Sequence, residues 1–231
     1  MTAIVLAGGA GTRLSSVVHD IPKPMALISG KPFLEYLLGY LQRNKVTDII
    51  LSVGYKSGII MDFFGNEFKG MSISYCIEDT PLGTGGAIKL AFEQCISNKA
   101  FICNGDTYFN VDLTELEHYH LFHNADISIS LKEMSDANRY GLVEINGGVV
   151  SSFLEKGSKH HGFINGGIYL IEKNIFCDFN LPNRFSFENF LEEQLNKISV
   201  YGFPSAGNFI DIGIPEDYES AQVLMPKWVT L

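Results

Sequence analysis

Gly8, Gly9 and Gly11 come directly after the apolar run Ala3-Ile4-Val5-Leu6, and Thr12, Arg13 and the turn Pro22-Lys23-Pro24 follow them closely. Glycines at the end of a buried strand let backbone N–H groups approach an anion without side-chain obstruction. Arg13 adds a planar fork of donors suited to phosphate oxygens, and Lys23 a compact cation that can follow charge as it develops. The combination reads as a triphosphate cradle. Two better-known loops do not fit. The register Gly9-Ala10-Gly11-Thr12-Arg13-Leu14 lacks the last glycine of the dinucleotide fingerprint, and no Gly-Lys-Ser/Thr completes a P-loop. The glycines alone would also suit an ordinary strand-to-helix turn; Arg13 and the Pro-Lys-Pro turn favour the anion.

Leu6-Ala-Gly-Gly-Ala-Gly-Thr-Arg-Leu14 with Pro22-Lys-Pro-Met25 resembles the signature of the sugar-1-phosphate nucleotidyltransferases, L-A-G-G-x-G-T-R-L and then P-K-P, without a departure. The resemblance implies that Leu6, Ala7, Gly8, Gly9, Gly11, Thr12, Arg13 and Lys23 contact the nucleotide. The segment Glu78 to Ala87 is similar to the family's base-recognition loop, which would add Glu78, Gly83 and Thr84. Taken alone it is a loop with a helix N-cap at Thr84. Relatives using pyrimidine nucleotides commonly have Gln where Glu78 stands. A carboxylate there could accept from both N1–H and N2–H2 of guanine, whereas it would oppose the acceptors of uracil or thymine. Guanine is the favoured base.

Asp106, in Asn104-Gly-Asp-Thr107, matches the family's metal ligand, although an aspartate just past a strand end also suits a turn. Asp211 lies in a segment resembling D-I-G-T-P-E-D-Y, with Ile214 in place of Thr. These two carboxylates could hold one Mg²⁺, with phosphate oxygens and water completing its shell. For the sugar phosphate, the matches are Tyr140 and Gly141 in an R-Y-G segment, Glu155-Lys156 in an E-K pair, and Asn165 in an I-N-x-G-x-Y strand. Gly157 replaces the usual proline after E-K, and Glu-Lys pairs are commonly just solvated. Gly166 and Gly167 would weaken that strand, a cost understandable if a ligand approaches its backbone.

Pro22 to Met25, Gly30 to Tyr36, Pro81 to Gly86 and Leu131 to Met134 resemble the guanylyltransferases that act on D-glycero-α-D-manno-heptose 1-phosphate. The implied partners are GTP and that sugar phosphate. The implied reaction is in-line attack on the α-phosphorus, with Arg13, Lys23, Asp106 and Asp211 as catalytic residues. Mannose 1-phosphate guanylyltransferase, a sugar-1-phosphate uridylyltransferase and a non-catalytic nucleotide-sugar-binding subunit remain open.

These residues need a scaffold, and the periodicity supplies one. Apolar runs at 3–6, 48–53, 72–77 and 100–103 alternate with helical patterns at 33–41, 56–64 and 84–95. Such a βαβαβ order predicts an α/β fold: a Rossmann-like, mixed and mostly parallel sheet flanked by helices, with ligands at the carboxyl ends of the strands. Strands at 125–134, 139–144, 149–154, 163–171 and 198–203 predict a small inserted β portion for the sugar, with further helices at 187–195 and from Pro215. The resemblance to the sugar-1-phosphate nucleotidyltransferases implies the nucleotide-diphospho-sugar transferase fold. The expected organisation is a single domain, with a nucleotide part to about residue 110 and a sugar-phosphate part beyond. No hexapeptide repeat appears, so no β-helix is expected.

The chain has 231 residues, 46% of them hydrophobic, and a net charge of −9. An acidic balance disfavours nucleic acid polymers, which need a broad basic surface, but not a small phosphorylated ligand. No apolar stretch is long enough to span a bilayer and no signal peptide opens the chain, so a cytoplasmic protein without membrane contact is expected. Cys76, Cys95, Cys103 and Cys177 are widely spaced in apolar surroundings and read as buried reduced thiols. His118, His120 and His123 lack a convincing partner for zinc, and His160-His161 reads as an exposed loop. A homodimer is the default oligomer.

Overall fold

The computed structural model describes residues 1–9, 14 and 20–229. In chain order, the elements are β1 (Thr2–Leu6), a hairpin of β2 (Leu27–Ile28) and β3 (Lys31–Pro32), α1 (Phe33–Arg43), β4 (Asp48–Val53), α2 (Ser57–Phe64), β5 (Glu67–Phe68), β6 (Met71–Ile77) and α3 (Gly83–Gln94). Then come β7 (Lys99–Asn104), β8 (Thr107–Phe109), α4 (Leu113–Phe122), β9 (Ile127–Met134), β10 (Leu142–Asn146), β11 (Val149–Leu154) and β12 (Gly162–Glu172). The chain closes with α5 (Phe187–Gln194), β13 (Val200–Ser205), β14 (Phe209–Asp211) and α6 (Pro215–Trp228).

Ten strands form one sheet in the order β10-β11-β13-β9-β12-β7-β1-β4-β6-β5. The sheet is mixed, as expected, but not mostly parallel: four of the nine neighbour pairings in this order are parallel and five antiparallel. Its parallel pairings are β7-β1-β4-β6 and β9-β13, while the neighbours of β10, β11 and β12 are antiparallel. Parallel order therefore belongs to the part wound by α1, α2 and α3, where each crossover helix returns the chain to the end of the sheet at which the strands begin. Side chains alternate across this part. Ala3, Val5, Ile49, Leu51, Phe101 and Cys103 share one core with α1, α2, α4 and α6; Ile4, Ile50, Ala100 and Ile102 share the other with α3 and α5. A central strand buried on both faces must be apolar throughout, which is why these runs do not alternate in polarity.

Two further expectations are corrected. Cys76, Cys95 and Cys103 are buried, and burial pushes the Cys103 thiol up to about 12, but Cys177 is exposed beyond the short 3-10 helix Lys173–Phe176. The glycines of β12 answer to packing. A Cβ at Gly166 would overlap the Phe109 ring and approach the Ser130 carbonyl oxygen to 2.9 Å, and Gly167 has a φ of +74°. The register of β12 shifts between Asn165 and Tyr169, so the pair forms a bulge.

Of the clustered histidines, His120 is buried beneath α4, between Ser128 Oγ (3.0 Å) and Glu172 Oε1 (3.3 Å), and burial lowers its pKa. His123 stacks on Tyr201 instead. His160 and His161 are exposed, His160 bonding Asn138.

The closing helix holds the hairpin that follows Lys23. Pro226 cannot donate to the Gln222 carbonyl one turn earlier, and Ser29 Oγ donates to that oxygen instead (2.9 Å). Gln222 Nε2 and Tyr218 Oη both donate to the Leu27 carbonyl (2.8 Å each). Helix α6 begins just beyond Asp211, so this clamp ties the segment carrying Lys23 to the segment carrying Asp211.

A two-stranded sheet, β8 with β14, was not visible in the sequence. It sets Asp211 opposite Thr107, with Asn110 N donating to the Asn208 carbonyl (2.9 Å) at its far end. A Cβ at Gly207 would overlap the Asn110 carbonyl oxygen. Gly207→Ala is expected to part these strands, lowering stability by about 1–3 kcal/mol and turnover by more than tenfold. Thermal unfolding and steady-state kinetics check this; parental turnover would show that the strand pairing does not matter to the site.

Candidate active site

The carboxyl ends of β1, β4, β6 and β7 open onto a cleft of about 930 Å³. Its wall includes Leu6, Ala7, Gly8, Gly9, Lys23, Glu78, Gly83, Thr84, Asp106 and Asp211, all singled out in the sequence. Gly11, Thr12 and Arg13 lie outside the described residues.

One end of the cleft is charged. Pro22 and Pro24 frame Lys23 at the start of a short 3-10 turn, and proline's fixed φ suits both positions. Lys23 Nζ lies 2.6 Å from Asp106 Oδ2 and 3.8 Å from Asp211 Oδ1. Asp106 follows Gly105, whose N–H bonds the Leu6 carbonyl (2.9 Å) and whose missing Cβ would stand 2.5 Å from that oxygen. The turn is thereby pressed onto the end of β1. Ile212 N donates to the Asp106 carbonyl (3.0 Å), which keeps the two aspartates side by side. Burial first, and then the charge of Asp106, push the Asp211 carboxyl up to about 6 against the opposing pull of Lys23. Among the described residues its Oδ1 is buried with no hydrogen-bond partner.

The other end is built around Glu78. Its Oε1 accepts from Ser52 Oγ (3.1 Å), its Oε2 from Leu82 N (3.0 Å), and its own N–H bonds the Val53 carbonyl (2.8 Å). A Cβ on Gly8 would come within 2.7 Å of Oε1, so only glycine lets the carboxylate lie against the loop. Gly83 has a φ of +72° and its Cβ would stand 2.5 Å from the Phe185 carbonyl oxygen. Thr84 is not the N-cap; α3 starts one residue before it. Its hydroxyl donates to Glu188 Oε2 (2.8 Å) and accepts from Phe187 N (2.8 Å), joining the loop to α5.

The sugar-side residues are gathered but stand outside this cleft wall. Leu142 pairs with Leu154 and with Ile164, so one further step of antiparallel register brings Gly141 next to Glu155 and Asn165. Glu155 and Lys156 are exposed, and Tyr140 packs edge-on to Phe209. Gly141 lies against the chain itself, with the Leu154 carbonyl oxygen 3.0 Å from where a Cβ would be. The Asn165 side chain is occupied within the protein, Nδ2 donating to Tyr169 Oη (2.6 Å) and Oδ1 accepting from Gly167 N (3.0 Å). Asn104, Tyr55 and Gly213 also line the cleft and were missed. For Gly213 the signal was available: it follows Asp211 by two, and a Cβ there would stand 2.9 Å from Asp211 Oδ1.

The cleft lies where α/β sheets hold ligands, outside the carboxyl ends of the parallel strands, with the Lys23-Asp106-Asp211 cluster at one end and Glu78 at the other. Residues 2–227 match the family model described as nucleotidyl transferase, and the chain belongs to that family. It is 48% identical to the D-glycero-alpha-D-manno-heptose 1-phosphate guanylyltransferase of Campylobacter jejuni, covering 94% of this chain and 97% of that protein. The enzyme of the same name from Aneurinibacillus thermoaerophilus is also 48% identical, over 99% of this chain and 100% of that protein. The crystal structure of HddC from Yersinia pseudotuberculosis complexed with GMP-PN superposes with a TM-score of 0.85 at 42% identity, covering 96% of this chain and 97% of that one. Among the described residues, no helix is long and apolar enough to cross a membrane.

The raised Asp211 pKa has a measurable consequence in chelator-treated, nucleotide-free protein. Its folded value, about 6, exceeds the ordinary carboxylate 3.8, so the fold binds the proton more tightly than the unfolded chain does. Ionised Asp211 therefore costs stability above about pH 6, and the cost disappears as pH falls towards 4. Asp211→Asn is expected to raise stability by about 1–2 kcal/mol at pH 7.5, a third of the side chain being exposed, and the gain should shrink below pH 5. Thermal melts across pH check this; a lower melting temperature at pH 7.5 would contradict it.

Proposed function

We propose that this chain joins GTP and D-glycero-α-D-manno-heptose 1-phosphate, giving GDP-heptose and pyrophosphate. The observation that carries the reading is the cleft itself, with Lys23 set between Asp106 and Asp211 at one end and Glu78 held as an acceptor at the other. The near-full-length identity to two proteins named as heptose 1-phosphate guanylyltransferases supports the choice of sugar.

An oxygen of the sugar phosphate forms a bond to the α-phosphorus of GTP, and the bond from that phosphorus to the oxygen bridging the β-phosphate breaks. Pyrophosphate carries away the electron pair. The nucleophile is already an oxyanion, so no side chain need remove a proton before attack. What remains is to bring two anions together in line and to offset their repulsion. Lys23 supplies positive charge at that point. Arg13 is assigned to the departing pyrophosphate, and Lys156 to the sugar's phosphate, both by resemblance. Gly8 and Gly9 offer backbone at the strand end where side chains would intrude.

Asp106 and Asp211 fit a hard divalent cation. Both offer carboxylate oxygens, and the buried Oδ1 of Asp211, which has no hydrogen-bond partner among the described residues, is free to act as a metal ligand. Among the described residues no group of three or more His, Cys, Asp and Glu side chains could hold a metal, so phosphate oxygens and water would complete the shell. Mg²⁺ held there would neutralise phosphate charge. Glu78 is assigned to the N1–H and N2–H2 edge of guanine.

Two experiments test these assignments. Pyrophosphate release should occur with GTP and heptose 1-phosphate in the presence of Mg²⁺, and should be weak with UTP or with mannose 1-phosphate. Preference for mannose 1-phosphate would replace the sugar, and preference for UTP would overturn the base assignment. Asp106→Ala is expected to lower turnover by about a hundredfold or more at saturating Mg²⁺, the scale of lost electrostatic stabilisation. Turnover within tenfold of the parent would remove Asp106 from the mechanism.

A further inference from the structure

Ser52 is a polar exception in an apolar strand. Ile49, Ile50, Leu51 and Val53 of β4 are buried hydrophobics, and Ser52 among them is 0% exposed. It faces the core of α3 and α5, paired in register with Leu6 of β1 and Cys76 of β6. A hydroxyl sunk in a parallel sheet is costly unless it is bonded. The Ser52 hydroxyl donates to Glu78 Oε1 (3.1 Å), a side chain that reaches the cleft.

We propose that Ser52 is a positioning residue for base selection, fixing the plane of the Glu78 carboxylate so that it meets the two-donor edge of guanine. This rests on the assignment of Glu78 to guanine made above. The terminal torsion of a glutamate is broad, so a carboxylate held at one oxygen can still turn. Here Ser52 holds Oε1 and the Leu82 N–H holds Oε2 (3.0 Å). Leu82 N can only donate, so Oε2 must accept. Each oxygen has two lone pairs, and one internal bond at each leaves a second acceptor site at both. Guanine offers two neighbouring donors, and meeting both requires both oxygens at a set angle. Gly8 clears the space, since a Cβ there would stand 2.7 Å from Oε1. Without the Ser52 hydroxyl, Leu82 N would be the one internal donor to the carboxylate among the described residues, and its plane would be free to swing.

Inosine triphosphate isolates this effect because it keeps N1–H and lacks the exocyclic amine. The experiment compares kcat/KM for GTP and ITP, with the same sugar phosphate, in the parent protein, Ser52→Ala, Ser52→Cys and Glu78→Gln, alongside thermal melts. The parent should favour GTP by about tenfold or more, the worth of a hydrogen bond to a charged group. Ser52→Ala should bring that ratio to within about threefold of unity, with the loss carried mainly by KM for GTP. Ser52→Cys, with a weaker donor, should fall between, and it decides the matter in the same way should the alanine variant not fold. A serine that served packing alone would shift the melt and leave the ratio untouched. A parental ratio in both Ser52 variants, with Glu78→Gln abolishing the preference, would overturn the role of Ser52 and spare that of Glu78. A parent that does not distinguish GTP from ITP would overturn the assignment of Glu78, and this inference with it.

Discussion

Two carboxylates facing one ammonium in a half-enclosed space make the constraint on which the site depends. Asp106 and Asp211 repel each other, and burial raises the cost of that repulsion because less solvent screens it. Lys23, 2.6 Å from one and 3.8 Å from the other, offsets it, yet Asp211 still has its carboxyl pushed up to about 6. The cluster persists because backbone enforces it. Strand β14 lies against β8, Ile212 bonds the Asp106 carbonyl, Gly105 and Gly207 remove the Cβ atoms that would hold the segments apart, and Gly213 leaves room for the Asp211 carboxylate within its own segment. Helix α6 then pins the hairpin beyond Lys23, its proline-freed carbonyl taken by Ser29. Such a cluster holds unfavourable charge in the fold.

The opposite end of the cleft follows a different logic. Glu78 is held by neutral donors, Ser52 and the Leu82 N–H, and so presents a fixed acceptor pair. The loop that carries it is anchored to α5 through Thr84 and Glu188 and through Gly85 N on the Phe185 carbonyl (3.0 Å). The segment after β12 thus supports the Glu78 end of the cleft.

The fold was largely legible. Apolar runs of strand length separated by amphipathic helical patterns gave β1, β4, β6 and β7 with α1, α2 and α3 in their observed places, and glycine and proline marked the loops between them. The parallel part proved narrower than that succession suggested, because helical crossovers govern only the strands they join. The fold of Asn165 was less legible: its amide is consumed by the bulge and Tyr169, and asparagine in a strand gives no sign of which partner it will take.

The sequence by itself determined which groups are available at this site and that they fall at strand ends, since residue type and apolar period are local properties of the chain. It determined Lys23, Glu78, Asp106 and Asp211 in this sense. Only the tertiary structure decided that Asp211 lies beside Asp106 rather than elsewhere, since the pairing of β8 with β14 joins segments about a hundred residues apart through three-residue strands too short to carry a pattern. It also decided that Ser52 serves Glu78 and that Thr84 serves Glu188. A hydroxyl's partner is fixed by which surfaces the core brings within 3 Å, and no spacing along the chain encodes that distance.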